Sequence, residues 1–238
     1  MTFLSVNVNK FATLRNSRGA NNPDVCKAAR DAVLFGADGV TVHPRPDERH
    51  IRKSDVYEIA GAIEVEFNIE GYPSEDFLDL VESVGPAQCT LVPDPPGVLT
   101  SNAGWDTVGQ RDFLREVVSR LKEKNIRVSL FCGTDLKMVE GARDTGADRI
   151  ELYTEPYAVE YQVDREAAVA PFREAALRAH AIGLGVNAGH DLSLQNLKWF
   201  HEQVPHLLEV SIGHALVCDA LYIGYEAAVK AYQACLGK

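Results

Sequence analysis

Positive charge is scarce in this chain. Its 238 residues carry 24 Lys and Arg against 34 Asp and Glu, a formal net charge of −10. A broad nucleic-acid surface needs a basic stripe, so the charge argues against a nucleic-acid partner. A local anion site is not excluded, because a few cations can converge in one pocket, and Lys10, Arg15, Arg18, Arg45, Arg49, Arg52 and Lys53 do cluster early. Cysteine is sparse and unpatterned: Cys26, Cys89, Cys132, Cys218 and Cys235 include no C-x-x-C pair. Cys89 and Cys132 lie in apolar runs and read as small buried hydrophobes, which fits a reducing cytoplasm. Long apolar runs are missing. No N-terminal stretch has the length of a signal peptide and none could span a bilayer, so a cytoplasmic protein without a membrane partner is expected. No G-x-G-x-x-G follows the first strand candidate, which weakens a dinucleotide site. No H-x-H follows it either, so no protein-bound metal is expected. Linkers of low complexity are also absent, and residues 1–238 read as a single domain.

What is present is alternation. With 46% hydrophobic and 24% charged residues the chain has the composition of an ordinary globular protein, large enough to bury a core unaided. Eight short strand candidates recur, each followed by a helical pattern: Phe3 to Val8, Gly39 to His43, Val65 to Glu70, Gln88 to Val92, Arg127 to Cys132, Arg149 to Tyr153, Leu184 to Asn187 and Leu208 to Ile212. They read as the apolar runs of buried parallel strands. Helix starts are expected at Asn22-Pro23, Ser54, Ser74, Thr107 (with Gln110 as a capping box) and Thr134. Helix stops are expected at Gly36, Gly85, Asn125, Gly146 and Gly183. Eight such units predict an α/β fold of the (β/α)8 TIM-barrel class, with a doubly wound open sheet as the alternative. The long segment after the fourth strand, Pro93 to Trp105, fits a lid or a rigid surface turn.

Three of the apolar runs end in histidine, at His43, His190 and His214, and a fourth ends in Glu70. A barrel gathers its strand ends around one mouth, so Asn7, Asn9, Lys10, His43, Arg45, Glu70, Glu151, His190 and His214 would converge. Any one histidine has an ordinary reading as a hydrogen-bonded rim residue. Three at equivalent strand ends point to a shared acid–base site instead. His180, His201 and His206 fall in helical stretches and read as surface. Burial behind Phe67 and Ile69 would raise the proton affinity of Glu70. Glu151 suits a cationic intermediate. For both glutamates a rim salt bridge is the plain alternative. A Schiff-base aldolase needs a lysine in the mouth, and strands five to eight have none. Phosphate recognition is better supported. The loops Asn187 to Asp191 and Ile212 to His214 each contain a glycine that lets backbone N–H groups approach an anion. Arg18, Arg45 and His50 could form a second anion site, with Arg49 and Arg52 read as solvated.

These same segments carry a resemblance. Val6 to Lys10 with Ala12 to Gly19, Gly36 to His43, Asp47 to Ile51, Val186 to His190 and Ile212 to His214 together resemble the pyridoxine 5′-phosphate synthase family over essentially the whole chain. The resemblance implies a (β/α)8 barrel with additional helices, assembled as a homo-oligomer, an octamer. It implies condensation of 1-deoxy-D-xylulose 5-phosphate with 3-amino-2-oxopropyl phosphate, without metal or organic cofactor. By position, His43 and Glu70 match general bases, His190 the general acid and Glu151 the transition-state stabiliser. Asn7, Arg18, Asp191, Gly213 and His214 match positions that hold the amino ketone phosphate. Asn9, Lys10, Arg45, His50 and Thr100 match those that hold the deoxyxylulose phosphate, and the segment after strand four matches a lid. Two departures stand out: Asn9-Lys10 where many members have Asp-His, and Asp191 where some have glycine. Another phosphosugar aldolase or isomerase, or a barrel that binds a phospho-ligand without turnover, are the alternatives.

Overall fold

A computed structural model of the chain describes residues 1–94 and 103–238. Its eight strands are β1 (Phe3–Asn7), β2 (Gly39–Val42), β3 (Glu66–Gly71), β4 (Gln88–Leu91), β5 (Arg127–Cys132), β6 (Arg149–Tyr153), β7 (Gly185–Gly189) and β8 (Leu207–Ile212). Each pairs in parallel with the next, and β8 returns to β1 through Ser5 opposite Ser211, closing the barrel. The open doubly wound sheet is thereby excluded. Among the described residues the helices are α1 (Asn9–Asn16), α2 (Val25–Leu34), α3 (Lys53–Ala60), α4 (Glu75–Val84), α5 (Arg111–Glu123), α6 (Leu136–Asp144), α7 (Glu155–Glu160), α8 (Arg165–Ala181), α9 (Leu197–Gln203), α10 (His214–Ile223) and α11 (Tyr225–Cys235). Helix pairs follow β1, β6 and β8, where a minimal barrel has one helix. Among the described residues no helix is long and apolar enough to cross a membrane. The expected lid and Thr100 fall largely or wholly on residues outside the described ones.

The strands are not the continuous apolar runs expected of them. They alternate: Leu4 and Val6, Val40 and Val42, Phe67 and Ile69, Leu130 and Ile150 join the main apolar core between sheet and helices. The intervening residues turn inward, as a period of two requires, and most are polar. Many are satisfied by one another, while Ser129 Oγ and Glu151 Oε2 have no partner among the described residues. Ser5 and Thr41 hydroxyls lie 2.7 Å apart, Asn68 donates to Thr41 at 3.3 Å, and Thr90 donates to the Asn68 side chain at 3.0 Å. A second layer runs from Glu66 through Arg127 to Gln88, then to Asn187, Glu209 and Arg149, with the Arg149–Glu209 pair at 3.2 Å. A buried polar interior is tolerable only when so connected.

Helix starts differ in detail from expectation. Asp24, not Asn22, caps α2, its carboxylate accepting the Lys27 N–H at 2.8 Å. Asp135 rather than Thr134 caps α6. Helix α3 begins before Ser54, and Asp55 accepts the Arg52 N–H at 2.8 Å. The expected Thr107–Gln110 capping box does not form. α5 begins at Arg111, and the Thr107 hydroxyl donates to the Met138 carbonyl at 2.6 Å, a tertiary bond that overrides the local one. All five expected stop residues have positive φ. His206 is not helical; it sits in the turn before β8 at φ 61°.

Candidate active site

The two asparagines at the end of β1 organise the neighbouring mouth. Asn7 accepts the Asn9 backbone N–H at 3.0 Å, and Asn9 accepts the His43 N–H at 2.9 Å. His43 is thereby fixed just beyond β2, buried at 9% exposure, with Nδ1 3.9 Å from Oε2 of Glu70. Burial first, then the positive charge of Arg45, holds the His43 imidazole well below its ordinary proton affinity, so it is neutral at pH 7. Glu70 moves the other way. Burial pushes its pKa up to about 7; His190 opposes this and Glu209 adds to it. Glu151 also sits inside the barrel, 3% exposed. Burial, then the nearby charges of Glu70 and Glu209, raises its pKa well above the usual carboxylate range. Its Oε2 has no hydrogen-bond partner among the described residues. Space for this carboxyl depends on Gly189: a Cβ there would lie 2.6 Å from Oε1 of Glu151 and 2.8 Å from the Ser211 carbonyl.

His190, the next residue, is held differently. Its side chain is 44% exposed, and Nδ1 lies 2.7 Å from Oδ2 of Asp191. That hydrogen bond, more than any other cause, raises its proton affinity. Its backbone is left-handed, at φ 86°, in a non-glycine residue. Such a conformation costs about 1–3 kcal/mol and persists only where the surroundings enforce it.

The elements expected from the sequence to hold phosphate flank these groups. Arg45 is buried, its guanidinium 3.4 Å from Asp94. His50 is held to a pKa of about 4 by burial, then by Arg45 and Lys10, and its Nδ1 accepts the Ile51 N–H at 2.9 Å. Lys10 is exposed on the first turn of α1, and Arg18 is exposed in the turn after that helix. Gly213 is buried at the start of α10, where a Cβ would come within 3.0 Å of Asn7, and no side chain caps that helix. Its free N–H groups therefore suit an anion. His214 is exposed at the first position, with Nε2 3.6 Å from Cys218 Sγ. Among the described residues no three His, Cys, Asp or Glu side chains group as metal ligands.

A model of the family described as pyridoxal phosphate biosynthesis protein PdxJ matches residues 4–238. The chain belongs to the PdxJ family. Relatives named pyridoxine 5′-phosphate synthase include that of Phocaeicola vulgatus, 60% identical over 99% of each chain. That of Porphyromonas gingivalis is 58% identical over 98% of each. Solved structures share the fold alone. Generated monomers of the dimeric phosphoribosylanthranilate isomerase from Thermotoga maritima are 15% identical with a TM-score of 0.63, over 100% of this chain and 99% of that one. The 3-keto-L-gulonate-6-phosphate decarboxylase from Vibrio cholerae is 8% identical with a TM-score of 0.67, over 99% of this chain and 97% of its own.

Several PdxJ residues near the site escape a reading by strand-end histidines. Arg15, counted in sequence only within a basic cluster, is 1% exposed. It pairs with both Asp55 oxygens, at 2.6 and 2.9 Å, and donates to the His50 carbonyl at 3.0 Å, fixing the loop that carries Arg45 and His50. Arg52, read as solvated, donates to Asn16 at 3.1 Å in the same cluster. Val92, Phe131 and Tyr153 form a small apolar cluster apart from the main core, with the two rings 5.4 Å apart. They occupy inward strand-end positions equivalent to those of His43 and Glu70. That equivalence is the signal which would have found them.

Proposed function

We propose that residues 1–238 act as one catalytic barrel whose mouth condenses 1-deoxy-D-xylulose 5-phosphate with 3-amino-2-oxopropyl phosphate, giving pyridoxine 5′-phosphate, inorganic phosphate and water. The chain is an enzyme of pyridoxine biosynthesis, and its substrates are small phosphorylated molecules. One observation supports the site assignment above others. Three groups at one mouth have proton affinities set apart: a neutral His43, a Glu70 with pKa about 7, and a His190 biased toward its cation. Ring formation needs such a spread. The substrate amine and ketone form an imine themselves, with loss of water. Proton removal next to carbonyl or imine carbon then falls to His43 and Glu70. His190 donates a proton to a leaving oxygen. Glu151, kept protonated by burial, gives its proton to the carbinolamine hydroxyl, which leaves as water, and the resulting carboxylate pairs with the cationic imine.

The two phosphates divide between the flanks. Asn7, Arg18, Gly213 and His214 hold the amino ketone phosphate at the start of α10, without the Asp191 N–H, which is donated to Thr154. Asn9, Lys10, Arg45, His50 and Thr100 hold the deoxyxylulose phosphate, Lys10 as a point charge. The apolar cluster of Val92, Phe131 and Tyr153 faces the forming ring. The enzyme works as a homo-oligomer, an octamer by resemblance, in the cytoplasm.

Purified protein given both substrates should release phosphate and develop a pyridine chromophore. His190→Ala and Glu70→Gln should each lower the rate more than ~10²-fold while the protein stays folded. Turnover of a single sugar phosphate without the amino ketone would assign an aldolase or isomerase instead. Tight binding without turnover would make this a ligand-binding barrel.

A further inference from the structure

We propose that Thr154 and Asp191 form a brace that sets the direction, ring tautomer and charge of His190. Neither is a catalytic residue in this role; both act through His190, and the proposal rests on the reading of His190 as the general acid.

The brace is built from both sides of the histidine. Thr154 follows β6 and is completely buried. Its hydroxyl donates to the Gly189 carbonyl at 2.5 Å and accepts the Asp191 N–H at 3.1 Å, so one side chain grips the residues immediately before and after His190. The His190 N–H donates to the Ser211 carbonyl at 3.3 Å. Beyond it, Asn196 donates to the Asp191 carbonyl at 3.3 Å and accepts the Ser193 N–H at 2.8 Å, and Tyr157 donates to the Asn196 carbonyl at 2.7 Å. These bonds hold His190 in its left-handed backbone and point the Asp191 carboxylate back at Nδ1, 2.7 Å away. With Nδ1 occupied, Nε2 is the nitrogen left for the substrate. The Asp191 carboxylate thus faces the imidazole and not a phosphate, which would repel it.

Other charged or titratable groups also act on this ring. Glu70 from β3 favours its cation and Lys10 from α1 opposes it, while His43 lies across the mouth and Tyr153 packs beside it at 6.2 Å. Asp191 is the only one of them hydrogen-bonded to the ring among the described residues.

The sign follows from the role. A general acid must be protonated, so the rate falls as pH rises through its pKa, and a lowered pKa moves that fall to lower pH. The test follows the His190 ring by NMR across pH in the free protein, beside kcat and KM profiles, for wild type, Asp191→Asn, Thr154→Val and Thr154→Ser. Asp191→Asn should titrate His190 at lower pH and move the basic limb of kcat the same way. Its loss of kcat, ~10-fold or more at pH 8, should shrink as pH falls. Thr154→Val should reproduce that displacement, and Thr154→Ser, which keeps the hydroxyl, should restore wild-type behaviour. An unmoved His190 titration in Asp191→Asn overturns the brace, as does a Thr154→Val protein indistinguishable from Thr154→Ser. If the titration moves and the kcat profile does not, the brace stands and the acid role of His190 fails.

Discussion

Gly189→Ala is the most direct test of how the barrel accommodates its buried carboxyl. Gly189 has no positive φ, so the substitution meets no backbone strain and its effect is purely steric. The new methyl would sit 2.6 Å from Oε1 of Glu151 and 2.8 Å from the Ser211 carbonyl. An ordinary contact needs about 3.4 Å or more. Glu151 is buried on all sides and has little room to retreat. The Ser211 carbonyl is strand backbone and also accepts the His190 N–H. Relief therefore requires β7 and β8 to part by several tenths of an ångström, carrying His190 with them. Overpacking of this kind costs about 1–3 kcal/mol. Displacing a reacting group on that scale lowers kcat/KM by up to ~10²-fold. Urea unfolding at pH 7 and the chromophore assay measure the two effects. A double-mutant cycle with Glu151→Ala should return a coupling of about 0.5–3 kcal/mol, because removing the carboxyl relieves one of the two contacts. A Gly189→Ala protein within ~0.5 kcal/mol of wild type, at near-normal rate, would refute the packing argument.

Arg15→Leu leaves Asp55 charged and buried without its partner, so urea unfolding should show a loss of about 3–5 kcal/mol, and KM for the deoxyxylulose phosphate should rise as the His50 loop loosens. Glu70 carries a pH signature in stability. Its folded pKa of about 7 lies above the ordinary value of 4.5, so the folded state holds the proton between those values and loses stability as pH rises through them. Glu70→Gln should therefore be more stable than wild type at pH 8, by up to about 3 kcal/mol, and lose that advantage near pH 4; equal stability differences at both pH values would contradict the buried carboxyl.

The barrel was legible because turn chemistry and strand spacing repeat. Glycines at helix ends and short β-rich segments mark eight units, and the register closes them in chain order. Local signals failed where tertiary bonds competed. Thr107 has the spacing of a capping box, yet its hydroxyl is taken by the Met138 carbonyl. The strands misled for a different reason. Val40-Thr41-Val42 and Phe67-Asn68-Ile69 look apolar in a short window, but their polar members share one face and meet only when eight strands close. No single strand shows that Ser5, Thr41, Asn68 and Thr90 will satisfy one another. The strand-end histidines and Glu70 were visible because position and residue type coincide. Arg15 and Thr154 were not, because each works through residues 35 or more positions away.

The deeper regularity lies in how the mouth keeps acid and base from cancelling. Glu209 has Arg149 against it, which opposes the rise in proton affinity that burial imposes on it. Glu70 and Glu151 share the same interior; burial raises both, and the charge of Glu70 further raises the cost of ionising Glu151. Burial keeps His43 uncharged. These are consequences of desolvation, and they would neutralise every group in the site if they acted alone. His190 escapes because its ring is partly exposed and its Nδ1 is paired with Asp191, which raises its proton affinity where burial alone would lower it. In the proposed reaction, a substrate amine becoming a cationic imine changes the balance at one point only. Positive charge inside the barrel lowers the proton affinity of the carboxyl pair, while that of His190 at the rim stays raised by Asp191. The proposed order of events then follows depth: the base forms where burial makes charge costly, and the acid sits where it does not.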